Sequence, residues 1–408
     1  MSIHVVGAGI AGMVAALALA RAGHAVTLHE AAPVAGGRCR ALPDGTDNGT
    51  HALMGANRAA LRFLDAIGAR AGWVEPEPDG LPLLDLADGS VRRIAAAPRA
   101  WSDPGRRPPG LTAGGLVALL GMAAGITDRP VATALARHPA LLRGFIEPLT
   151  IAALNTPVAE ASSARLGQVL RRLGGQGAAR LLVARDGLAP DLVAPALAAL
   201  RTAGVTIRFG TRLRALTTAE GRAVALHLAA ETLPIDQGDA VILALPPWEA
   251  ARLITGLRVP DRHAPILNLH FDHPGPGPLR FIGVLGGLVQ WLLLRPSGIS
   301  VTVSAADAEA EEAVETLAPR AWAEIRTAAG AFALPGVWPD ATPPCRAVKE
   351  RRATPRHLVG VPPIAPRLPL RNLALAGDWT WPGLPATIEA AALSGEAAAK
   401  AIGRRRGR

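Results

Sequence analysis

The sequence lacks tyrosine and has few lysines and cysteines, and the scarcity of cysteine excludes two kinds of site. Among 408 residues there is no tyrosine, and Lys349 and Lys400 are the only lysines. The two cysteines, Cys39 and Cys345, lie far apart in the chain. This number and spacing exclude a disulfide framework and the paired cysteines of a zinc site, and they favour a reducing compartment. The sequence therefore predicts no metal site.

The formal net charge of +10 comes almost wholly from arginine. Two interpretations remain open: a codon-composition bias, or attraction to an anionic membrane surface. Nucleic acid is not predicted as a partner, because no known binding motif occurs and the basic residues are scattered except in the terminal GRRRGR. With 50% hydrophobic and 19% charged residues, the chain is long enough for about two domains with sizeable cores.

One long segment, residues 108–127, carries no charge. It approaches the length of a membrane span, but it contains five glycines and two prolines, and Arg106, Arg107, Asp128 and Arg129 flank it closely. Two alternatives remain open: an apolar cap on the protein, or a helix that contacts one face of a membrane. A secretion signal is not expected, because no basic segment precedes the apolar stretch near the N-terminus. The sequence predicts a cytoplasmic protein bound peripherally to the cytoplasmic membrane.

Hydrophobic patterning predicts an α/β fold that opens with a strand at 3–6, an apolar helix at 11–22 and a strand at 25–29. Residues 55–185 have a mostly helical pattern with Pro and Gly breaks. The other predicted elements are a helix near 190–203, strands at 205–209, 212–216 and 239–247, an antiparallel sheet within 264–306, a charged helix at about 307–329, a strand at 372–377 and a final helix. Because these blocks alternate, the sequence predicts two interleaved domains.

The hexapeptide GAGIAG places Gly7, Gly9 and Gly12 in a G-x-G-x-x-G pattern between a predicted strand and a predicted helix. The first glycine permits the tight turn, the second lets a pyrophosphate approach the backbone, and the third packs the helix on the strand. The helix N-terminus then favours an anion. Glu30 ends the second strand, where a carboxylate can accept hydrogen bonds from ribose hydroxyls. A purely structural glycine turn does not explain this acid, so the sequence predicts a bound dinucleotide.

Two further segments favour FAD as the dinucleotide. The Gly-Gly-Arg stretch at 36–38 can approach a pyrophosphate or an isoalloxazine ring. Near the C-terminus, a predicted strand ends in Gly377 and Asp378, and this carboxylate can accept a hydrogen bond from a ribityl hydroxyl. The N-terminus of the final helix, at 386–388, can direct N–H groups at a flavin carbonyl and favour negative charge on the reduced ring.

These motifs, in this order, resemble the FAD-dependent amine oxidase and phytoene desaturase superfamily. The middle strands VTIRFGTRL and DAVILALPP extend the resemblance, and it implies that Leu213 meets the adenine through its backbone. The residues expected to contact FAD are Gly7, Gly9, Ile10, Ala11, Gly12, Glu30, Ala31, Gly36, Gly37, Arg38, Gly49, Thr50, His51, Leu213, Gly377, Asp378, Ala386, Thr387 and Ile388. No lysine lies between residues 1 and 348, which argues against amine oxidation, since amine oxidases typically have a lysine beside the flavin.

One branch of the superfamily is more similar over nearly the whole chain. The stretches DNGTHALMGANR, FIEPLTIAALNTP, VQWLLLR and AGDWTWPGLPATIEAA resemble the bacterial hydroxysqualene dehydroxylases, also called squalene-associated FAD-dependent desaturases. The chain departs from the pattern expected of them at Thr50, Asn57, Trp381 and Pro382. The resemblance implies that FAD serves to remove a hydroxyl from the C30 polyprenyl alcohol hydroxysqualene, which supplies squalene for hopanoid synthesis.

Four residues are candidates for the chemistry. Glu147 lies in an apolar stretch, where desolvation keeps a carboxylic acid protonated and able to act as a general acid. Asn155, eight residues on, can position the hydroxyl, His51 is a second candidate proton donor, and Trp291 can shield a developing allylic cation. Plainer alternatives remain open. Glu147 can cap a helix that starts at Pro148 and ends at Asn155, His51 can hydrogen-bond backbone near the cofactor, and Trp291 can be a core residue.

The sequence thus predicts a Rossmann-type FAD-binding domain interleaved with a substrate domain of mixed or antiparallel sheet plus helices. The FAD-binding domain is expected to comprise 1–55, 185–250 and 355–408. The substrate domain, with an apolar cavity for the polyprenyl lipid, is expected to comprise 56–184 and 251–354. An unidentified electron donor is a further expected partner. The competing hypotheses are a carotenoid-type polyene desaturase or saturase and a non-catalytic prenyl-lipid carrier.

Overall fold

A computed structural model describes residues 2–96, 98–275, 277–361 and 368–403. The terminal arginine-rich prediction falls on residues 404–408, outside this range. The strands are β1 (Ser2–Val6), β2 (Ala25–His29), β3 (Ala52–Met54), β4 (Trp73–Val74), β5 (Leu81–Asp85), β6 (Val91–Ile94), β7 (Leu181–Ala184), β8 (Thr206–Arg208), β9 (Leu213–Ala219), β10 (Arg222–Leu228), β11 (Thr232–Pro234), β12 (Ala240–Leu243), β13 (His263–Phe271), β14 (Arg280–Leu285), β15 (Trp291–Arg295), β16 (Gly298–Ser304), β17 (Cys345–Pro355) and β18 (Leu373–Leu375).

The helices fall between these strands. They are α1 (Ile10–Arg21), α2 (Arg58–Ala66), α3 (Ala113–Ala124), α4 (Val131–Ala134), α5 (Pro139–Leu141), α6 (Glu147–Leu154), α7 (Ser163–Leu173), α8 (Ala194–Thr202), α9 (Pro247–Leu253), α10 (Val314–Ala331) and α11 (Ile388–Gly403). Two π-helical turns, Leu142–Ile146 and Ala189–Val193, precede α6 and α8, and short 3-10 turns occur elsewhere. None of the helices in the described ranges is long and apolar enough to cross a membrane.

A five-stranded parallel sheet, in the order β18-β12-β1-β2-β8, is the base of the dinucleotide fold. Helix α1 is apolar on all sides because it lies between this sheet and α11. A Cβ added to Gly395 in α11 would lie 2.4 Å from the Ala11 carbonyl oxygen, so this glycine allows the two helices to approach closely. The sheet brings residues from both ends of the chain to the carboxyl edge of β1.

A seven-stranded mixed sheet, in the order β17-β13-β16-β15-β14-β5-β6, is the second framework. Its strands alternate in polarity. In β16, Ile299, Val301 and Val303 pack in the same core as α10, whereas Ser300 and Thr302 face the opposite side. This opposite face therefore carries both polar and aromatic side chains. It faces the glycine-rich turns of the parallel sheet, and the contacts between them are described below.

The prediction that residues 55–185 are mostly helical is wrong in part. Strands β5 and β6 add to the edge of the seven-stranded sheet, and β3, β7 and β4 form a small antiparallel sheet. These strands are short, and each depends on a distant partner. For example, Leu83 in β5 pairs with Gly283 in β14. Local pattern carries no information on such long-range pairing, which is why the strands were missed.

The packing also differs from the predicted domain boundary at residue 55. Phe63, Leu64 and Trp73 lie in the same apolar core as Leu17 and Leu28 of the dinucleotide fold. Leu182 and Ala184 of β7 join that core as well, whereas Leu181 and Val183 pack against the large sheet. By packing, the segment up to β4 thus belongs with the parallel sheet, and the helical unit of α3 to α7 forms a separate core.

Candidate functional site

The glycine-rich turn joins β1 to α1 and leaves an open space above the helix. A Cβ on Gly7, which has a φ of 106°, would lie 2.3 Å from the Ala244 carbonyl oxygen, and one on Gly12 would lie 1.9 Å from the Gly7 carbonyl oxygen. By contrast, no described atom lies within 4 Å of a Cβ built on Gly9. The fold therefore requires the first and third glycines, whereas the second keeps free space beside the first N–H groups of α1, those of Ile10 and Ala11. A pyrophosphate fits there.

Glu30 lies against the same turn. Its carboxylate accepts hydrogen bonds from the backbone N–H groups of Ala8 (2.7 Å) and Ala32 (2.9 Å), with Ala31 exposed beside it. These two bonds fix the carboxylate at the end of β2 and leave further lone pairs for ribose hydroxyls. The backbone N–H of Thr211 donates to the Glu30 carbonyl, which places the start of β9, and hence Leu213, near the same end of the turn. The Leu213 carbonyl accepts a hydrogen bond from Arg252 (3.0 Å).

Gly36 and Gly37 extend the backbone surface beside Gly9. Both have positive φ, and Gly36 forms a parallel bridge with Gly9. A Cβ on Gly37 would lie 3.2 Å from the Gly9 Cα, so any side chain there would close the space that Gly9 leaves open. The three glycines thus form one contiguous backbone surface, whose shape fits the pyrophosphate of FAD.

Arg38 and Asp378 join the two ends of the chain. One Arg38 guanidinium nitrogen, Nη2, lies 2.7 Å from each carboxylate oxygen of Asp378, and Nη1 donates to the Ala353 carbonyl (2.6 Å). The Asp378 side chain is only 5% exposed, whereas that of Arg38 is 41% exposed. Asp378 therefore has an internal cation as its main partner, in addition to any ribityl hydroxyl. This ion pair fixes the carboxylate that the sequence assigned to FAD.

Two hydrogen bonds anchor the turn that holds Asp378. The Gly377 N–H donates to Ser394 Oγ (2.9 Å) in α11, and Trp379 Nε1 donates to the Leu245 carbonyl (2.9 Å) after β12. Gly377 has a φ of 144°, and a Cβ there would lie 2.6 Å from Trp379 Nε1. The Gly-Asp-Trp stretch is therefore a fixed corner between α11 and the parallel sheet.

Fewer backbone N–H groups at the N-terminus of α11 are free to bind a ligand than the sequence predicted. The Ala386 N–H donates to His357 Nε2 (3.2 Å), so the prediction that this group faces a flavin carbonyl is wrong for the described arrangement. Thr387 caps the helix, because its Oγ1 accepts from the Ala390 N–H (3.2 Å). Within the described residues the N–H of Ile388 has no hydrogen-bond acceptor, and it remains available to a flavin carbonyl.

The segment Asn48–His51 docks on the open face of the seven-stranded sheet. Asn268 on β13 accepts from the Thr50 N–H (3.4 Å) and donates to the Asn48 carbonyl (3.5 Å), and a Cβ on Gly49 would lie 2.9 Å from the Asn268 amide nitrogen. Sequence reasoning missed Asn268, since nothing in its local pattern marks a docking role. The contact joins the two frameworks directly beside Arg38.

His51 and His357 both lie near Asp378. Burial is the main cause that lowers the pKa of His51 to about 4, although hydrogen bonding to the Arg38 carbonyl opposes it. Burial and the charge of Arg165 lower the pKa of His357 to about 4. Both rings are therefore neutral near pH 7, so an imidazolium proton donor at His51 is disfavoured. His357 was missed by sequence reasoning because its neighbours come from three distant segments.

Glu147 lies inside a continuous helical stretch and not at a helix N-cap. Its N–H donates to the Leu142 carbonyl in a π-helical turn, and the helix then runs through Pro148 to Leu154. The proline has no N–H and its ring displaces the preceding carbonyls, which accounts for the wide turn. The capping alternative for Glu147 is therefore wrong. Burial raises the pKa of Glu147, and the charge of Arg143 opposes this. Within the described residues the carboxylate has no hydrogen-bond partner.

Asn155 has a structural role in this arrangement. It ends α6 with a φ of 46°, its Nδ2 donates to the Ala264 carbonyl (3.1 Å) and to Thr354 Oγ1 (3.0 Å), and its Oδ1 accepts from the Ala305 N–H (2.5 Å). The side chain is buried and its donors are fully used. The prediction that Asn155 positions a substrate hydroxyl is therefore corrected: the residue joins α6 to the seven-stranded sheet.

Trp291 lies on the open face of the seven-stranded sheet. Its ring stacks on Phe281 at a centroid distance of 5.5 Å and an interplanar angle of 16°. A Cβ on Gly283 would lie 3.0 Å from the indole, so this glycine allows the ring to lie across β14. The indole is partly exposed, which leaves aromatic surface free on the side of the sheet that faces the cofactor turns.

A cavity of about 230 Å³ opens at the edge of the sheet near α5, but its lining does not suit a hydrocarbon. It includes Asp85, Asp88, Arg92 and Arg143, and Arg143 forms an ion pair with Asp85 (2.5 Å). A bound C30 chain would desolvate these charged groups, at a free-energy cost of roughly several kcal/mol. The partly exposed ring of Trp291 on the other face of the sheet is the better apolar surface.

The fold has solved neighbours among oxidases. Cyclohexylamine oxidase from Brevibacterium oxydans superposes with a TM-score of 0.72 at 16% identity, covering 100% of this chain and 99% of that one. A putrescine oxidase variant superposes with a TM-score of 0.71 at 17% identity, with 99% coverage of each chain. The family described as flavin containing amine oxidoreductase matches residues 10–403. The fold and the site thus define a flavin-containing amine oxidoreductase.

More similar relatives identify the branch. Hydroxysqualene dehydroxylase from Rhodopseudomonas palustris is 39% identical, with 98% of each chain covered, and that from Sinorhizobium fredii is 34% identical, with 98% of this chain and 97% of the relative covered. A third, from Zymomonas mobilis, is 32% identical, with 97% of each chain covered. The chain therefore belongs to the hydroxysqualene dehydroxylase family of flavin-containing amine oxidoreductases.

This membership confirms the predicted fold class, the enzyme class and FAD as the cofactor. The three relatives share one name, so the comparisons favour neither the carotenoid-type enzyme nor the non-catalytic lipid carrier.

Proposed function

We propose that this protein removes the allylic hydroxyl of hydroxysqualene and yields squalene. The observation that carries the proposal is the 39% identity to a hydroxysqualene dehydroxylase over 98% of both chains. The net reaction replaces C–OH by C–H, so one proton and one hydride enter, and one water leaves. Reduced FAD supplies the hydride when it is bound. The protein must hold the lipid against the flavin site, exclude water and deliver the proton to the departing oxygen.

Glu147 is our candidate for that proton. Its stretch Phe145–Leu154 is apolar, and burial raises the pKa of the carboxyl group, which favours the protonated form that a general acid needs. The absence of an ion-pair partner for it in the described part of the chain leaves the proton available. His51 is neutral and is better suited to hydrogen-bond a hydroxyl than to protonate it. Trp291 offers an aromatic face on which a developing allylic cation is stabilised.

The test is anaerobic turnover of the reduced holoenzyme with hydroxysqualene, with squalene measured as product. In Glu147→Gln we expect squalene formation to fall on the order of a hundredfold or more while FAD binding is retained. Glu315→Gln is the matched control, because Glu315 is exposed on α10, which covers the opposite face of the large sheet. Wild-type turnover by Glu147→Gln would exclude Glu147 as the proton donor. No squalene from the wild-type protein would reject the proposed function itself.

We also propose that α3 binds an anionic membrane surface. The side chains of Val117, Leu120 and Ile126 are 69%, 60% and 75% exposed on an uncharged segment. Thr112 caps α3 through the Gly115 N–H (3.1 Å), and Gly125 ends it in the left-handed conformation, so the apolar face is held on a defined helix. Exposed arginines flank it, including Arg129 and Arg171. An apolar helix face with a basic border suits a lipid surface.

Vesicle flotation tests this surface. We expect the wild-type protein to float with phosphatidylglycerol-containing vesicles and less with pure phosphatidylcholine, because the basic border requires anionic headgroups. The double variant Val117→Ser/Leu120→Ser should bind on the order of tenfold more weakly. Val337→Ser is the control, since Val337 is 80% exposed elsewhere on the molecule. Equal binding by the double variant and the control would reject α3 as the contact surface.

A further inference from the structure

The face of α7 that looks toward the N-terminus of α11 carries an arginine without a partner. Arg165, Gln168 and Arg172 have the i, i+3, i+7 spacing of one helix face. A Cβ on Gly383 would lie 3.5 Å from Gln168 Oε1, and Arg172 Nη1 lies 3.7 Å from Glu389 Oε1. The stripe therefore runs along the loop before α11 and along its first turn.

Arg165 begins this stripe: its backbone N–H donates to Ser162 Oγ (3.1 Å), and the Ser162 N–H donates to the His357 carbonyl (2.9 Å). The charge of Arg165 acts on the His357 ring, and that ring in turn accepts the Ala386 N–H just before α11. Burial lowers the pKa of Arg165, with the charge of Asp128 opposing. Among the described residues the Arg165 guanidinium has no hydrogen-bond or ion-pair partner, yet none of its nitrogens is wholly shielded from solvent. The guanidinium is thus a desolvated charge that a ligand can still reach.

None of the charged groups around it in the described part of the chain forms an ion pair with it. Asp378 is paired with Arg38. Asp128 attracts Arg165 at longer range, while its oxygens accept hydrogen bonds from Ser162 Oγ (2.6 Å) and from the Ala164 and Gly360 N–H groups. His357 is neutral near pH 7. A partly desolvated guanidinium without an ion-pair partner favours an anion beside it. The dipole at the N-terminus of α11 adds to the positive potential at the same place.

We propose that Arg165 is the counter-charge for the negative charge that the flavin ring carries after reduction. Two electrons and one proton convert the neutral oxidised ring to a singly negative reduced ring. A fixed positive charge beside the ring then stabilises the reduced form more than the oxidised form. The inference rests on the flavin-binding part of the proposed function and not on the identity of the lipid.

The midpoint reduction potential of the bound FAD tests this role without any lipid substrate. In Arg165→Gln we expect the ratio of reduced to oxidised FAD at a given potential to fall at least about tenfold, which corresponds to a shift of about 30 mV to more negative values for a two-electron couple. Arg165→Lys keeps the charge and should restore most of the shift. Affinity for oxidised FAD should change far less than affinity for reduced FAD.

Arg171→Gln is the matched control, because Arg171 lies on the same helix with its guanidinium bonded to the Ala123 carbonyl of α3, and its potential should equal that of the wild type. An unchanged potential in Arg165→Gln overturns the proposal, and so does an Arg165→Lys variant as negative as Arg165→Gln. If Arg165→Gln holds no FAD, Arg165→Met, which keeps the apolar stem, replaces it under the same criteria. A wild-type protein that takes up no FAD would instead reject the proposed function.

Discussion

At the scale of single residues, the ion pair between Arg38 and Asp378 is the contact on which the cofactor site most depends. The two residues are 340 positions apart, and the carboxylate is almost fully buried. Removal of one partner leaves the other charge without compensation, whereas removal of both does not. The pair therefore ties the second glycine turn to the C-terminal turn and sets the orientation of the Asp378 carboxylate.

We expect Arg38→Gln to lower the free energy of unfolding by about 3 kcal/mol, at the low end for a buried pair because Arg38 is partly exposed. Urea unfolding of the FAD-free protein measures this. The double variant Arg38→Gln/Asp378→Asn should recover more than half of the loss, since it has no unpaired carboxylate. A double variant that is less stable than Arg38→Gln would contradict a role based on charge.

Gly9 and Gly12 of the first turn should respond differently to substitution by alanine. Gly12→Ala places a Cβ 1.9 Å from a backbone oxygen, so we expect a loss of about 1–3 kcal/mol in stability even without FAD. Gly9→Ala meets no described atom within 4 Å, so the FAD-free protein should unfold as the wild type does. Its affinity for FAD should nevertheless fall on the order of tenfold or more, because the methyl group occupies the space for the pyrophosphate. Thermal unfolding and FAD titration separate these two effects, and an unstable FAD-free Gly9→Ala would contradict them.

At the scale of elements, the helical stretch 139–154 contains a proline that disrupts its hydrogen bonds and is followed by an asparagine that ends it. Pro148 interrupts the regular hydrogen-bond ladder, and the π-helical turn before it absorbs the disruption. Asn155 then ends the stretch in the left-handed conformation, which asparagine tolerates better than most residues. The result holds Glu147 on a continuous helix whose end is fixed to the large sheet.

We expect Asn155→Ala to destabilise the protein by about 2–4 kcal/mol, because three internal hydrogen bonds are lost and alanine is strained at a φ of 46°. Asn155→Gly should be less costly, since glycine adopts this conformation freely. Both variants should change the KM for hydroxysqualene little once folded. A normal melting temperature together with a large rise in KM would restore Asn155 as a residue that contacts the substrate.

At the scale of the whole molecule, buried histidines couple stability to pH. Burial is the main cause that lowers the pKa values of His29, His51, His270 and His357 to about 4. In the unfolded chain a histidine has a pKa of about 6.5. Between these two values the unfolded state binds more protons, so stability is fully present above pH 6.5 and is lost as the pH falls toward 4.

We expect the free energy of unfolding to fall steeply on acidification from pH 6.5 to 4 and to level off, as far as these groups are concerned, below pH 4. His270→Gln should make the slope shallower by one proton, about 1.4 kcal/mol per pH unit. His270 suits the test because its Nδ1 lies 2.9 Å from Ser300 Oγ within the large sheet. His227→Gln, on the surface hairpin of β9 and β10, is the control, and an identical slope in His270→Gln would contradict the expectation.

The sequence by itself determined the glycine turns, the acid after β2, the C-terminal Gly-Asp corner, and hence the cofactor, because these depend on the backbone freedom of glycine and on periodicity within a few residues. It also identified β13 to β16, which are four of the seven strands of the large mixed sheet. Only the tertiary structure decided that Asp378 pairs with Arg38, that Asn155 joins a helix to the sheet, and that Arg165 forms no ion pair with any of the residues that the structure describes. Pairing and burial depend on residues hundreds of positions apart, and no local pattern records which charge meets which.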